Sequence, residues 1–64
     1  MPAGGGEIYV EFVVQGGVVK VTAIDPKSLR EAVVMGPAGA SRAALSDAAM
    51  RKLRYILEKN NGAG

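Results

Sequence analysis

The chain has 64 residues, enough for one domain, and with 48% hydrophobic and 22% charged residues it is globular in class. It has neither cysteine nor histidine, which excludes a disulfide framework, a thiol or imidazole catalytic pair, and any metal site not built from carboxylates. A net charge of +2 is too slight to argue by itself for nucleic acid or an anionic membrane, and no apolar run approaches the roughly eighteen residues of a membrane span.

Residues 1–6, MPAGGG, are expected to form a disordered tail. A phosphate-binding glycine loop needs a strand before it and a helix after it, whereas this stretch leads straight into a strand. It also lacks the charged region and apolar core of a secretion signal, so a cytoplasmic location is expected.

The organising stretch is Glu7 to Ile24, EIYVEFVVQGGVVKVTAI. Period-two alternation of β-branched and aromatic residues about Gly16-Gly17 predicts a hairpin with a two-residue type I′ or II′ turn. That turn sets Gln15 opposite Val18, Val14 opposite Val19, Phe12 opposite Val21 and Val10 opposite Ala23. One face then carries Val10, Phe12, Val14, Val19, Val21 and Ala23. A slip of one residue would send this set to the other side. Asp25-Pro26 opens a turn, and a third strand is expected from about Leu29 to Met35. If the intervening loop holds an even number of residues, Ala32 and Val34 join the Phe12 face. Gly36 to Ala40, GPAGA, punctuates the strand.

Ser41 is a good helix N-cap, and Arg42 to about Lys59 is rich in strong helix formers. Leu45, Ala49, Leu53, Ile56 and Leu57 make an apolar stripe with Met50 at its margin. Asp47, Arg51, Arg54 and Glu58 lie opposite. Lys59 suits the last helical turn, and Asn60-Asn61-Gly62 is expected to stop the helix, leaving residues 60–64 as a flexible tail. The predicted fold is α+β: a three-stranded antiparallel meander followed by one C-terminal amphipathic helix, β-β-β-α, in a single domain over residues 7–59.

One helix covers one face of such a sheet. The other face carries Tyr9, Val13, Val18, Ile24, Leu29, Val33 and Met35 in the expected register. So contiguous an apolar set predicts a homodimer interface, formed by stacked sheets, by edge pairing, or by helix exchange about Gly36 to Ala40; the alternative is a twisted sheet whose second face is only patchily apolar. Which of the three operates is open at this stage.

No catalytic, cofactor-binding or metal-ligating residues are assigned. Ser41 sits in Gly39-Ala40-Ser41-Arg42-Ala43, which departs from the GxSxG nucleophile pattern at its last position and has no histidine to serve it. Glu7 and Glu11 share a strand face, but a solvated or dimer-facing edge is the simpler account. Arg42, Arg51, Lys52 and Arg54 give the helix a basic cast and are the candidates for phosphate contact in the alternative reading, nucleic-acid (RNA) binding. One Phe and two Tyr are few for a base-stacking platform.

Two resemblances bear on this. Three antiparallel strands before a Ser41-capped helix with Ala48-Ala49 and Leu53 are similar to the C-terminal part of a double-stranded-RNA-binding domain. That family has a helix before its sheet and consecutive lysines after the cap, where this chain has Arg42 and then Ala43-Ala44. Over nearly the whole chain, Ile8-Tyr9-Val10-Glu11-Phe12, Val19-Lys20-Val21-Thr22-Ala23-Ile24-Asp25-Pro26, Gly36-Pro37-Ala38 and Arg51-Lys52-Leu53-Arg54-Tyr55-Ile56-Leu57 resemble a family of short uncharacterised alphaproteobacterial proteins. Its members often carry a Thr-Gly-Thr turn after Asp-Pro, and this chain has Lys27-Ser28-Leu29-Arg30 there. The resemblance implies membership and no established activity. The sequence therefore points to a small non-enzymatic homodimeric domain, a protein-interaction module with unknown partner and no cofactor.

Overall fold

Three antiparallel strands, β1 (Tyr9–Gln15), β2 (Val18–Ile24) and β3 (Glu31–Pro37), form a meander in the order β1-β2-β3, and α1 (Arg42–Ala63) follows. The structure, a computed structural model, describes the backbone of residues 7–63 and the side chains of residues 7–59. The expected tail at residues 1–6 lies outside the described residues.

The hairpin register is the one the alternation requires: Val14 faces Val19, Phe12 faces Val21 and Val10 faces Ala23. Gly16 has φ +62 and Gly17 stays outside the positive range, the pattern of a type II′ turn, in which glycine is needed at the first central position. Six residues, Asp25 to Arg30, join β2 to β3. The even count puts Ala32 opposite Ala23 and Val34 opposite Val21, on the Phe12 face.

Three boundaries differ from expectation. β3 starts at Glu31 rather than Leu29. Leu29 instead turns in the left-handed region with φ 63, its N–H donating to the Asp25 carbonyl at 2.8 Å. β3 also runs through Gly36 and Pro37, because Pro37 lies where the missing N–H faces away from β2. The helix continues past Asn60-Asn61-Gly62 to Ala63. Asparagine and glycine disfavour a helix by only about 1 kcal/mol or less each, and no proline enforces a stop. Lys59 consequently falls before the last turn, and its ammonium lies 5.7 Å from the Tyr55 ring centre.

Ser41 caps the helix, its hydroxyl accepting from the Ala44 N–H at 3.2 Å. The core is the expected stripe against the expected face: Val19, Val21, Ala23, Ala32, Ala49 and Leu53 are buried. Val10, Phe12, Val34, Leu45, Met50, Ile56 and Leu57 pack around them. The helix does not lie centrally, however. It packs on β3 and β2, approaching so closely at Gly36 that an added Cβ would stand 2.8 Å from a Leu45 methyl. On the same face of β1, Val14 is left 53% exposed.

Candidate functional site: an uncovered sheet face and a bare edge

The face turned away from the helix is built from four cross-strand rows. They are Gln15, Val18 and Pro37; Val13, Lys20 and Met35; Glu11, Thr22 and Val33; and Tyr9, Ile24 and Glu31. Six of the seven residues assigned to this face from the sequence therefore lie on it. Leu29 does not: it sits in the loop, 76% exposed and off the sheet. Its place could not be read from alternation, because loop residues have no face. Tyr9 and Met35 are more than half exposed, at 54% and 61%. Val13, Val18 and Val33 are exposed and Ile24 is half-buried. Each row also carries a polar residue. Lys20, in the middle of the central strand, lies diagonal to Glu11, and Thr22 is buried among its neighbours. The face is a mosaic of apolar and polar positions.

The two edges of the sheet differ, and the backbone pattern shows how. Asp25 N–H donates to the Arg30 carbonyl and Ala38 N–H to the Gly17 carbonyl. Antiparallel pairs alternate between bonded and non-bonded. The pairs between these two ends, 23/32, 21/34 and 19/36, are therefore the bonded ones. Glu31, Val33, Met35 and Pro37 turn their backbone groups outward. That edge is partly blunted: Lys52 Nζ donates to the Val33 carbonyl at 2.9 Å, and Pro37 offers no N–H. By the same alternation Val18, Lys20, Thr22 and Ile24 bond to β1, so Val10, Phe12 and Val14 turn their N–H and C=O groups outward on the other edge. Among the described residues nothing comparable caps that edge. β1, YVEFVVQ, has no proline and no lysine, the usual devices against edge pairing.

The basic candidates do not form one surface. Arg42 lies over the Phe12 ring with its guanidinium carbon 5.1 Å from the centroid. Lys52 is engaged on β3. Arg51 and Arg54 are exposed, and at about 100° per residue they share the outer side of the helix with Asp47 and Glu58. An A-form groove needs cations in line, and here they are interleaved with carboxylates.

Asp25 anchors the β2–β3 loop. Its carboxylate accepts from the Ser28 hydroxyl at 2.8 Å and from the Lys27 N–H at 3.2 Å, and Ser28 Oγ in turn accepts from the Arg30 N–H at 3.2 Å. The Ser28 hydroxyl first, and then the Lys27 N–H, hold the Asp25 carboxyl below its ordinary value. The group is a loop staple rather than a reactive acid. No group of three or more metal-binding side chains occurs among the described residues, and no helix is long and apolar enough to cross a membrane. Glu7 precedes β1 and Glu11 lies exposed within it.

These features define a small α+β domain, a three-stranded meander with one helix on one face, whose distinctive surfaces are an uncovered mosaic face and an open β1 edge. The chain belongs to the family described as Domain of unknown function (DUF6898), whose model matches residues 5–60. Comparison with curated proteins and with solved structures gives no match.

Proposed function

We propose that the chain is a small non-enzymatic protein-interaction module that works as a homodimer in the bacterial cytoplasm. The observation that carries this reading is the uncovered sheet face, where Tyr9, Val13, Val18, Ile24, Val33 and Met35 stand in one register beside only a few charged positions. A surface of this kind is unusual on a domain that meets nothing. A domain of this size also buries a small core on its own, and association adds buried area without cysteines or metals. The non-enzymatic part of the reading is supported by Ser41, whose hydroxyl is committed to the helix cap, and by the lack of a histidine or cysteine to activate a nucleophile. The alphaproteobacterial assignment is supported by the residues that resemble short proteins of that group, and the cytoplasmic one by a first stretch, MPAGGGE, unlike a secretion signal.

The test is the mass of the protein in solution by light scattering coupled to gel filtration, at tens of micromolar. The reading expects twice the 6.6 kDa of one chain. A monomer at that concentration overturns it.

A further inference from the structure

We propose that two copies of the chain join through β1, antiparallel and centred on Phe12, to make one continuous six-stranded sheet. This rests on the homodimer reading above and specifies its geometry. Three observations carry it.

The first is the asymmetry of the edges. Lys52 and Pro37 blunt the β3 edge at Val33 and at its end, while Val10, Phe12 and Val14 present outward N–H and C=O groups over the length of β1 with neither device. A strand with such a row of unpaired backbone groups is a template for another strand.

The second is the off-centre helix. Because α1 sits on β3 and β2, the inner side of β1 is only partly covered: Val10 and Phe12 are half-buried and Val14 is exposed. Pairing β1 with its copy places Val10, Phe12 and Val14 of both chains side by side between the two helices. On the other side it sets each Val13 beside Glu11 and each Tyr9 beside Gln15 of the second copy, so the uncovered faces merge into one wider surface.

The third is register, in which β1 is complementary to its own copy. Bonded antiparallel pairs must match outward-facing residues with outward-facing residues, so the two-fold axis passes through a residue of β1. Centring on Glu11 would set two glutamates directly opposite each other, which is unfavourable. Centring on Phe12 uses all of Tyr9 to Gln15. It pairs Val10 with Val14 of the second copy and sets each Glu11 opposite Val13 of the other chain, with no like charges facing on the strands. The two Arg42 guanidiniums come to the same side of the seam, a modest repulsion that solvent screens.

The experiment exploits the outward N–H of Val14. Val14→Pro removes a donor that the single chain does not use, so each copy keeps its own sheet while the pair loses the two bonds from Val14 N–H to Val10 of the other chain. Self-association measured by sedimentation should weaken by about tenfold or more, with an unchanged far-ultraviolet circular dichroism spectrum. Met35→Lys, on the uncovered face away from the seam, should leave the association constant as it is. A second measurement covers the case in which the proline variant does not fold. The chain has no cysteine, so Phe12→Cys introduces a single thiol. Its Cα lies about 5.5 Å from its twin in a bonded pair, within disulfide range. Gln15→Cys would lie about 20 Å from its twin. Under mild oxidation Phe12→Cys should cross-link and Gln15→Cys should not. Unchanged association of a folded Val14→Pro protein, or cross-linking of Gln15→Cys as readily as Phe12→Cys, overturns the β1 pairing while leaving a homodimer of another geometry standing. Loss of association by Met35→Lys alone assigns the contact to the uncovered face and also overturns the pairing. A monomeric wild type removes the homodimer reading and the pairing together.

Discussion

Replacing Gly36 by valine would probe the closest approach between helix and sheet. Gly36 lies on the inner face of β3, opposite Val19, and a Cβ added there would stand 2.8 Å and 3.3 Å from the two Leu45 methyls. Carbon atoms in ordinary contact are about 3.5–4.0 Å apart, so something must move. With alanine, the Leu45 side chain alone can yield, at about 0.5–1.5 kcal/mol for an off-rotamer torsion. Loss of glycine's freedom in the unfolded chain returns about 0.4–1 kcal/mol. Gly36→Ala should therefore stay within about 1 kcal/mol of wild type. Valine adds two further methyl groups to the same gap, and overpacking of this kind costs about 1–3 kcal/mol. For so small a domain that lowers the melting temperature by about 4–8 °C per kcal/mol. Thermal and urea unfolding followed by circular dichroism at one fixed protein concentration measures this, the concentration being fixed because self-association would contribute. The decisive control is Leu45→Ala, which removes both methyls. In that background the valine penalty should fall by about 1 kcal/mol or more, an interaction energy ordinary for touching residues. An equal penalty in both backgrounds would refute the close-approach argument.

Other expectations test the turns. Gly16→Ala forces a left-handed φ on a residue with a Cβ and should cost about 1–3 kcal/mol. Gly17→Ala, with open space around it and no positive φ, should be neutral or stabilising by up to about 1 kcal/mol; equal effects in unfolding titrations would contradict the type II′ assignment. Leu29, at φ 63, carries the strain of that conformation, about 1–2 kcal/mol. Leu29→Gly should thus be neutral to about 1 kcal/mol more stable and leave the solution mass unchanged, and a clear loss of stability would show that the leucine packs against something. Asp25 is held below its ordinary 3.8 by Ser28 and Lys27. Its contribution is therefore present above the unfolded value and is lost as pH falls through the lower folded value. Asp25→Asn should lower stability at neutral pH and flatten the stability curve below pH 3.8; an acid unfolding midpoint and slope identical to wild type would count against the staple.

The element order, the hairpin register and the helix stripe were legible in the residues alone. Each depends on short-range chemistry: glycine in a two-residue turn, a period-two pattern of β-branched and aromatic residues from Tyr9 to Ile24, and Leu45, Ala49 and Leu53 at one-turn spacing. Packing between elements settled the rest. Where β3 begins depends on how Asp25, Ser28 and Arg30 close their loop, and the weak alternation around Leu29 left that point unmarked. Gly36 reads as a strand terminator, yet it is the gap into which Leu45 fits, a match between residues on different elements. The difference between the two edges is of the same kind, since Lys52 reaches Val33 from 19 positions away. Local pattern sets which residues share a face, but which faces and edges stay open is fixed by where the helix comes to rest.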